Sequence, residues 1–268
     1  KITIENPEKV EFIGPHFNGS EKWAAAAYDY RSGAVFAVPC NASQVLRIKV
    51  ADVSTRNPIE TSINSRRTRL SERISDRDSY SRKLGLGHAR KSNTATAISS
   101  WAISTGSNDV SGEVFDHVHL IGKDLGTLPG KYRSCAYTDN TSCIYAAPYN
   151  ASRVLRVDFG FDGQFHVQRV GEDIRGARKW SACVIDPYGH NCIYAVPCNS
   201  PYVLRVTSVR TKRGMDESIS LLKFDSNGCA EAKYAAGVFS VIDAHIYIVP
   251  KNASRVLCID TLTDVDNN

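Results

Sequence analysis

Hydrophobic and polar positions along this chain alternate in short bursts rather than in long periodic runs. Runs of β-branched and aromatic residues are closed by Pro, Asn, Gly or Asp, which is the composition of strands and turns. One such stretch, CIYAVPCNSPYVLRV from Cys192, recurs as AVFAVPCNASQVLRI from Ala34, CIYAAPYNASRVLRV from Cys143 and HIYIVPKNASRVLCI from His245. A sentence repeated four times specifies architecture before it specifies chemistry.

Each unit opens on Lys plus an aromatic residue: Lys22-Trp23, Lys131-Tyr132, Lys179-Trp180 and Lys233-Tyr234. An apolar pair follows, then Pro, one variable residue, Asn, a small-residue turn and Val-Leu-Arg or a relative. KWSACVID, CIYAVP and YVLRV therefore read as three consecutive strands. A fourth lies ahead of the next Lys-aromatic pair, in VEFIG (Val10–Gly14), FDHVHLIG (Phe115–Gly122), FHVQRVG (Phe165–Gly171) and ISLLKF (Ile219–Phe224). Inside the repeats no segment holds a 3.6-residue period, so solenoids of helix pairs are excluded.

Four antiparallel strands in roughly 50 residues is the blade of a β-propeller. The expected fold is all-β, a closed propeller of four-stranded antiparallel blades in one domain over residues 1–268. The first segment is a fourth-strand sequence and the last, RVLCID (Arg255–Asp260), a third-strand sequence. The N-terminal strand is thus expected to complete the last blade, which removes two exposed sheet edges. Tyr132, Trp180 and Tyr234 are 48 and 54 residues apart, whereas Trp23 and Tyr132 are 109 apart. A degenerate blade at about 55–110, echoed in SNTATAIS (Ser92–Ser99), gives five blades; the alternative is four blades plus an insertion there.

Composition adds a core and an address for charge. With 268 residues and 42% hydrophobic content the chain can bury a sizeable core, and no apolar run reaches the roughly 18–20 residues of a membrane helix. The net charge of +5 is concentrated between Arg66 and Lys91, where Arg66, Arg67, Arg69, Arg73, Arg77, Arg82, Lys83, Arg90 and Lys91 face only Glu72, Asp76 and Asp78. A uniformly basic nucleic-acid surface is not supported, but a local basic arm is. Such a Ser/Arg-rich segment orders only by docking, which points to protein partners in a larger assembly.

Of eight cysteines, four follow the repeat. Cys135 and Cys143 recur as Cys183 and Cys192, where the first unit has Ala26 and Ala34 and the last Gly237 and His245. Paired presence and paired absence suggest cross-strand bridges Cys135–Cys143 and Cys183–Cys192, since facing Cα atoms lie about 4.5–5.5 Å apart. Disulfides would place the chain outside the cell or in an organelle lumen. Sequons at Asn18, Asn41, Asn140, Asn150 and Asn252 lean toward a secreted glycoprotein, although three are copies of one turn.

Strand direction brings the repeated words to one end of the propeller. Lys22, Lys131, Lys179 and Lys233 would ring a tunnel mouth beside Trp23, Tyr132, Trp180 and Tyr234. Asn41, Asn150, Asn199 and Asn252 would sit farther out with Arg153 and Arg255. Ammonium groups beside aromatic faces and amides suit an anionic or saccharide ligand. The competing reading is structural: aromatics wedge neighbouring blades, Asn makes the turn and Lys is solvated. No nucleophile with a neighbouring base, no metal-ligand set and no cofactor loop is evident, so no catalytic residue, metal or cofactor is assigned.

The recurring KW…IYAVPxNASRVLRID resembles a repeat of uncharacterised algal and protist propeller families, distantly similar to NHL and gluconolactonase-like propellers. Cys258 in place of Arg, Asn199-Ser200-Pro201 in place of Asn-Ala-Ser, and the basic stretch depart from it. The resemblance implies the propeller architecture. Gluconolactonase-like enzymes hold a metal at the tunnel through acidic and amide groups, and no full set carries over. The expectation is a non-enzymatic binding or scaffold module. The alternatives are a metal-dependent lactonase-like hydrolase and a glycan-binding propeller.

Overall fold

The computed structural model describes residues 12–50, 117–160, 162–187, 192–212, 214–225 and 228–262. The chain divides into two units, Lys1–Ala51 with Phe115–Asn268 and Asp52–Val114, and every described residue belongs to the first. Among the described residues all regular structure is β and there is no helix. Fifteen strands form four antiparallel sheets, each joined through sequence neighbours.

The first sheet holds β1 (Trp23–Asp29), β2 (Ala34–Pro39), β3 (Val45–Lys49) and β4 (Val118–Ile121). The second holds β5 (Tyr132–Thr138), β6 (Cys143–Pro148), β7 (Val154–Phe159) and β8 (Phe165–Val170). The third holds β9 (Trp180–Ile185), β10 (Ile193–Pro197), β11 (Tyr202–Thr211) and β12 (Gly214–Lys223). The fourth has β13 (Tyr234–Ser240), β14 (His245–Pro250) and β15 (Leu257–Asp260). Strand boundaries follow the repeated words, and in all four sheets the register slips by a bulge just after the Lys-aromatic pair or opposite it.

The sheets stack in chain order: β1 lies against β5, β5 against β9 and β9 against β13. Ala34, Phe36 and Val38 of the first sheet pack on Tyr132, Ile144 and Ala146 of the second. Cys143, Tyr145 and Ala147 then pack on Trp180, Ile193 and Ala195, and Cys192, Tyr194 and Val196 on Tyr234, Ile246 and Ile248. A sheet with a neighbour on each face needs apolar residues at consecutive positions of its second strand. This explains why CIYAAP and IYAVP are buried throughout.

The long gap between the first two Lys-aromatic words resolves as an interruption within a sheet. Ile48 of β3 pairs with Val118 of β4, and the Lys49 N–H donates to the His117 carbonyl at 2.7 Å. The chain leaves and re-enters the first sheet at adjacent points. The first and second sheets also abut directly, the Lys131 N–H donating to the Cys40 carbonyl at 2.9 Å. The first and second sheets are thus direct neighbours among the described residues. The stretch at about 55–110, with Arg66, Arg67, Arg69, Arg73, Arg77 and Arg82, lies outside the described residues.

Three glycines show how successive sheets approach. Gly122 and Gly171, each just past a fourth strand, have left-handed φ of 81° and 77° and lie against Val167 and Ile219 of the next sheet. A Cβ on Gly122 would sit 2.6 Å from Val167 Cβ, so the close approach requires glycine. Gly14, φ 82°, lies in the same way on Val118. Val10 and Glu11 fall outside the described residues, Phe12–Gly14 form no strand, and the fourth sheet has three strands among the described residues.

The expected disulfides are corrected by the register. Cys143 faces Thr138 and Cys135 faces Ala146, three ladder positions away, or about 10 Å along the strand. Cys183 faces Ala195, while Cys192 accepts at its carbonyl from Asp186 N–H. All eight cysteines are free. The cause is the four-residue turn 139–142, which fixes which residues face each other; equivalence between repeats does not. The cysteines therefore give no support for an oxidising compartment.

Candidate functional site

The repeated polar words do converge on one end of the sheets, but they are not solvated there. Lys131, Lys179 and Lys233 are buried, with 2–3% of their surface exposed. The Lys131 ammonium donates to the carbonyls of Gly126 and Leu128, both at 2.9 Å, and to that of Asn41 in the preceding sheet at 3.4 Å. Lys179 donates to Gly176 and to Ala151 of the preceding sheet, both at 2.7 Å. Lys233 donates to Ala230 at 2.9 Å and across to Asn199 at 3.0 Å. Each lysine ties its own entry loop to the turn of the sheet before it.

Burial lowers the pKa of all three ammonium groups, that of Lys179 to about 8; near Lys131 the Asp124 carboxylate opposes the shift. The carbonyl dipoles replace part of the lost hydration, which is why a cation can occupy this place at all. The expectation of an exposed ammonium ring is thus overturned, and so is the competing expectation of solvated lysines. Only Lys22 is half-exposed, and it reaches the Gly19 carbonyl alone, at 2.7 Å.

Asparagine completes the seam. The Oδ1 atoms of Asn41, Asn150 and Asn199 accept from the N–H groups of Gly130, Arg178 and Ala232 in the following sheet, at 2.8–2.9 Å. Those donors precede the lysines and have left-handed φ of 63°, 52° and 45°, the conformation that aims the N–H backward across the seam. Through Nδ2, Asn41, Asn150 and Asn252 donate to Ser20, Pro129 and Glu231, closing their own loops. With both ends of the amide bonded, Asn41 and Asn150 are latch residues and poor glycan acceptors.

The aromatics are wedges with one polar handle. Trp23 and Trp180 donate through Nε1 to the carbonyls of Gln44 and Tyr202, and Tyr132 through its hydroxyl to Arg153. Tyr132, Trp180 and Tyr234 are at most 4% exposed, so they offer no stacking platform for a sugar. Arg153 forms a bidentate pair with Asp173 at 3.0 and 3.1 Å. That hydrogen bond, with one from Ser152, holds the Asp173 carboxyl down to about 2. Arg255 is exposed.

What remains open at this end is a cavity of about 540 Å³ among the four first strands. Its lining includes Glu21, Arg133, Tyr149, Ser181 and Lys251. Glu21 and Arg133 approach to 3.8 Å, and the Arg133 guanidinium lies 4.5 Å over the Tyr149 ring. Arg133 and Ser181 follow the Lys-aromatic word directly, where the other two sheets have Ala24 and Ala235. The signal that would have found them was variation at a fixed place in the repeat. Two cations beside one carboxylate make the opening suited to an anion.

A second polar cluster, not anticipated from sequence, is buried where the second sheet meets the third. Arg156 donates to Asp158 at 2.9 Å, to Gln168 at 2.6 Å and to Glu217, which also accepts from the Tyr145 hydroxyl. Burial works against the Arg156 charge, but the Glu217 hydrogen bond and the Asp158 charge raise its pKa above the ordinary value. Among the described residues no group of three or more His, Cys, Asp or Glu side chains could hold a metal ion. No helix there is long and apolar enough to cross a membrane.

No family model and no curated protein matches the chain. Among solved structures it is similar to a candidate 6-phosphogluconolactonase of Bacteroides uniformis, with a TM-score of 0.48 and 10% identity. The match covers 88% of this chain and 49% of that one, so the chain spans about half that protein's length.

Proposed function

We propose that this chain is a β-propeller acting as a non-enzymatic binding or scaffold module within a larger assembly. On this reading the four sheets are blades of a five-bladed ring, in which the segment ending at Gly14 stands where the closing blade's fourth strand would end, Gly14 lying on Val118 as Gly122 lies on Val167. The observation that carries it is the use made of the repeated words. At three successive seams Lys and Asn hydrogen-bond from one sheet to the next and the aromatic residue packs on the neighbouring sheet. Chemistry specific to this protein then falls to residues that differ between blades: Glu21, Arg133, Ser181 and Lys251 at the mouth, and the basic stretch Arg66–Lys91 as the docking element. Loops set on a rigid scaffold are where binding residues concentrate.

Adjacent exit and re-entry points make the test direct. Replacing residues 52–114 by Asn-Gly, a two-residue hairpin turn, is expected to leave the circular dichroism spectrum and melting transition intact while abolishing co-purification with native partners. Association retained without the stretch would overturn its docking role. Hydrolysis of 6-phosphogluconolactone by the purified chain, with or without added divalent cation, would replace the scaffold reading by the lactonase one. Binding of gluconate 6-phosphate that Arg133→Ala and Lys251→Ala both weaken would mark the mouth as an anion site.

A further inference from the structure

The fourth blade carries a face that the other three bury. Phe36, Tyr145 and Tyr194 stand at one position of the repeat and are 1–2% exposed, yet Tyr247, their equivalent, is 36% exposed. Two residues on, Val38, Ala147 and Val196 are at most 5% exposed, and Val249 is 52% exposed. Val238 and Val256 in the same blade are 60% and 59% exposed. In the first three blades these positions are covered by the apolar residues of the next blade's second strand. No contact comparable to those between successive first strands joins β13 to β1.

The polar half of a seam stands ready beside this face. Lys251 occupies the place of Cys40, Tyr149 and Cys198, whose carbonyls accept from the next lysine N–H. Asn252 closes its own loop through Nδ2, as Asn41 and Asn150 do, and its Oδ1 has no partner among the described residues. The other half stands on the first blade. Glu21 has the left-handed φ, 46°, that the three cross-seam donors share, and the Lys22 ammonium reaches only its own loop. On that blade Ala37, Leu46 and Val118, 8–9% exposed, form an apolar cluster with Phe17, Trp23 and Ile48.

We infer that these two faces are the walls of a slot that takes one further blade of the same repeat type, supplied from outside residues 12–262. Resting on the propeller reading, this names the partner's chemistry. Toward the fourth blade the occupant presents a Lys-aromatic word with a left-handed residue before it and two apolar side chains on its second strand. Toward the first blade it presents an aromatic and a small apolar residue on that strand's opposite face, and a Pro-x-Asn turn. Both sets at once are the property of a blade of this repeat. Gly14 lies on Val118 as Gly122 lies on Val167, so the segment ahead of the first blade already takes the place of that occupant's fourth strand.

The test joins a copy of residues 172–211, three strands of the third blade, ahead of residue 1. The unextended chain is expected to bind the dye ANS and to tolerate Val249→Asp with a melting shift under about 2 °C, as exposed positions do. The extended chain is expected to lose ANS binding and to melt at least 5 °C higher, a gain that Val249→Asp removes. If Val249→Asp unfolds the unextended chain while it is monomeric, the chain itself covers the face and the inference fails. A concentration-dependent dimer that Val249→Asp dissociates makes a second copy the occupant and also overturns it. Failure of the propeller reading itself shows elsewhere: Val196→Asp, at a filled seam, must prevent folding, and its tolerance would sink the stacking of the blades.

Discussion

The buried lysines give the sharpest prediction, because one repeated position has two different environments in the same molecule. Lys179→Met removes two charge-assisted hydrogen bonds, to Ala151 and Gly176, each worth about 1.5–3 kcal/mol. Against this stands relief of desolvation, about 3 kcal/mol for a pKa held near 8 instead of 10.5. Met fills similar volume but leaves two carbonyls without a donor, so a net loss of about 2 kcal/mol is expected at pH 7. For an ordered region of this size that lowers the melting temperature by roughly 4–8 °C. Lys22→Met, whose ammonium meets one exposed carbonyl, should change stability by less than about 0.5 kcal/mol.

Linkage adds a second readout to the same pair. The folded pKa of Lys179 lies below its unfolded value, so the unfolded state binds more protons between about 8 and 10.5. Wild-type stability through this group therefore rises with pH across that window, by at most about 1.4 kcal/mol per unit. Met does not titrate, so the gap between wild type and Lys179→Met should widen from pH 8 toward 10, while the Lys22→Met gap stays flat. Calorimetric melts of the three proteins at pH 7, 8, 9 and 10 measure it. Equal melting temperatures for wild type and Lys179→Met, or a gap that narrows with pH, would refute the buried ammonium.

Asn150→Ala should cost about 1 kcal/mol, because it removes an exposed hydrogen bond across the seam to Arg178 N–H and one within the loop to the Pro129 carbonyl, whereas Asn252→Ala should cost under about 0.5 kcal/mol; urea unfolding compares them. Arg156→Met, which leaves Glu217 to the Tyr145 hydroxyl and Asp158 to Arg210 at 3.9 Å, should cost about 3 kcal/mol, read the same way. Burial pushes the Cys135 thiol up to about 12, with Cys183 nearby adding to it, and the Cys183 thiol up to about 11. Native Cys135 should then react with a disulfide reagent at pH 8 roughly a thousandfold more slowly than an ordinary thiol, and mass-mapped labelling should find exposed Cys258 modified first.

Much of the architecture was legible in the residues because it rests on local, repeated rules. Pro-x-Asn stops a strand wherever it occurs, and an apolar run six residues long with no polar break predicts a strand covered on both faces. Hence the strand boundaries and the four units could be read in advance. Pairing partners could not. The Cys135–Cys143 expectation failed because facing residues are set by turn length, and the pairing of Val45–Ile48 with Val118–Ile121, some 70 residues on, has no local signal.

The same division runs through the site. Sequence placed Lys, Asn and the aromatics at one end, since strand direction alone decides that. Their solvent exposure depends on whether another sheet lies against them, which is a tertiary fact. Three lysines became buried ties and the fourth a surface cation although all four open the same word. Alternation and turn chemistry thus determined the elements and their order, because those depend on neighbours within a few residues. Burial, protonation and the exposed face of the fourth sheet among the described residues were decided by what packs across each seam, where the contacting residues stand some 30 to 90 positions apart.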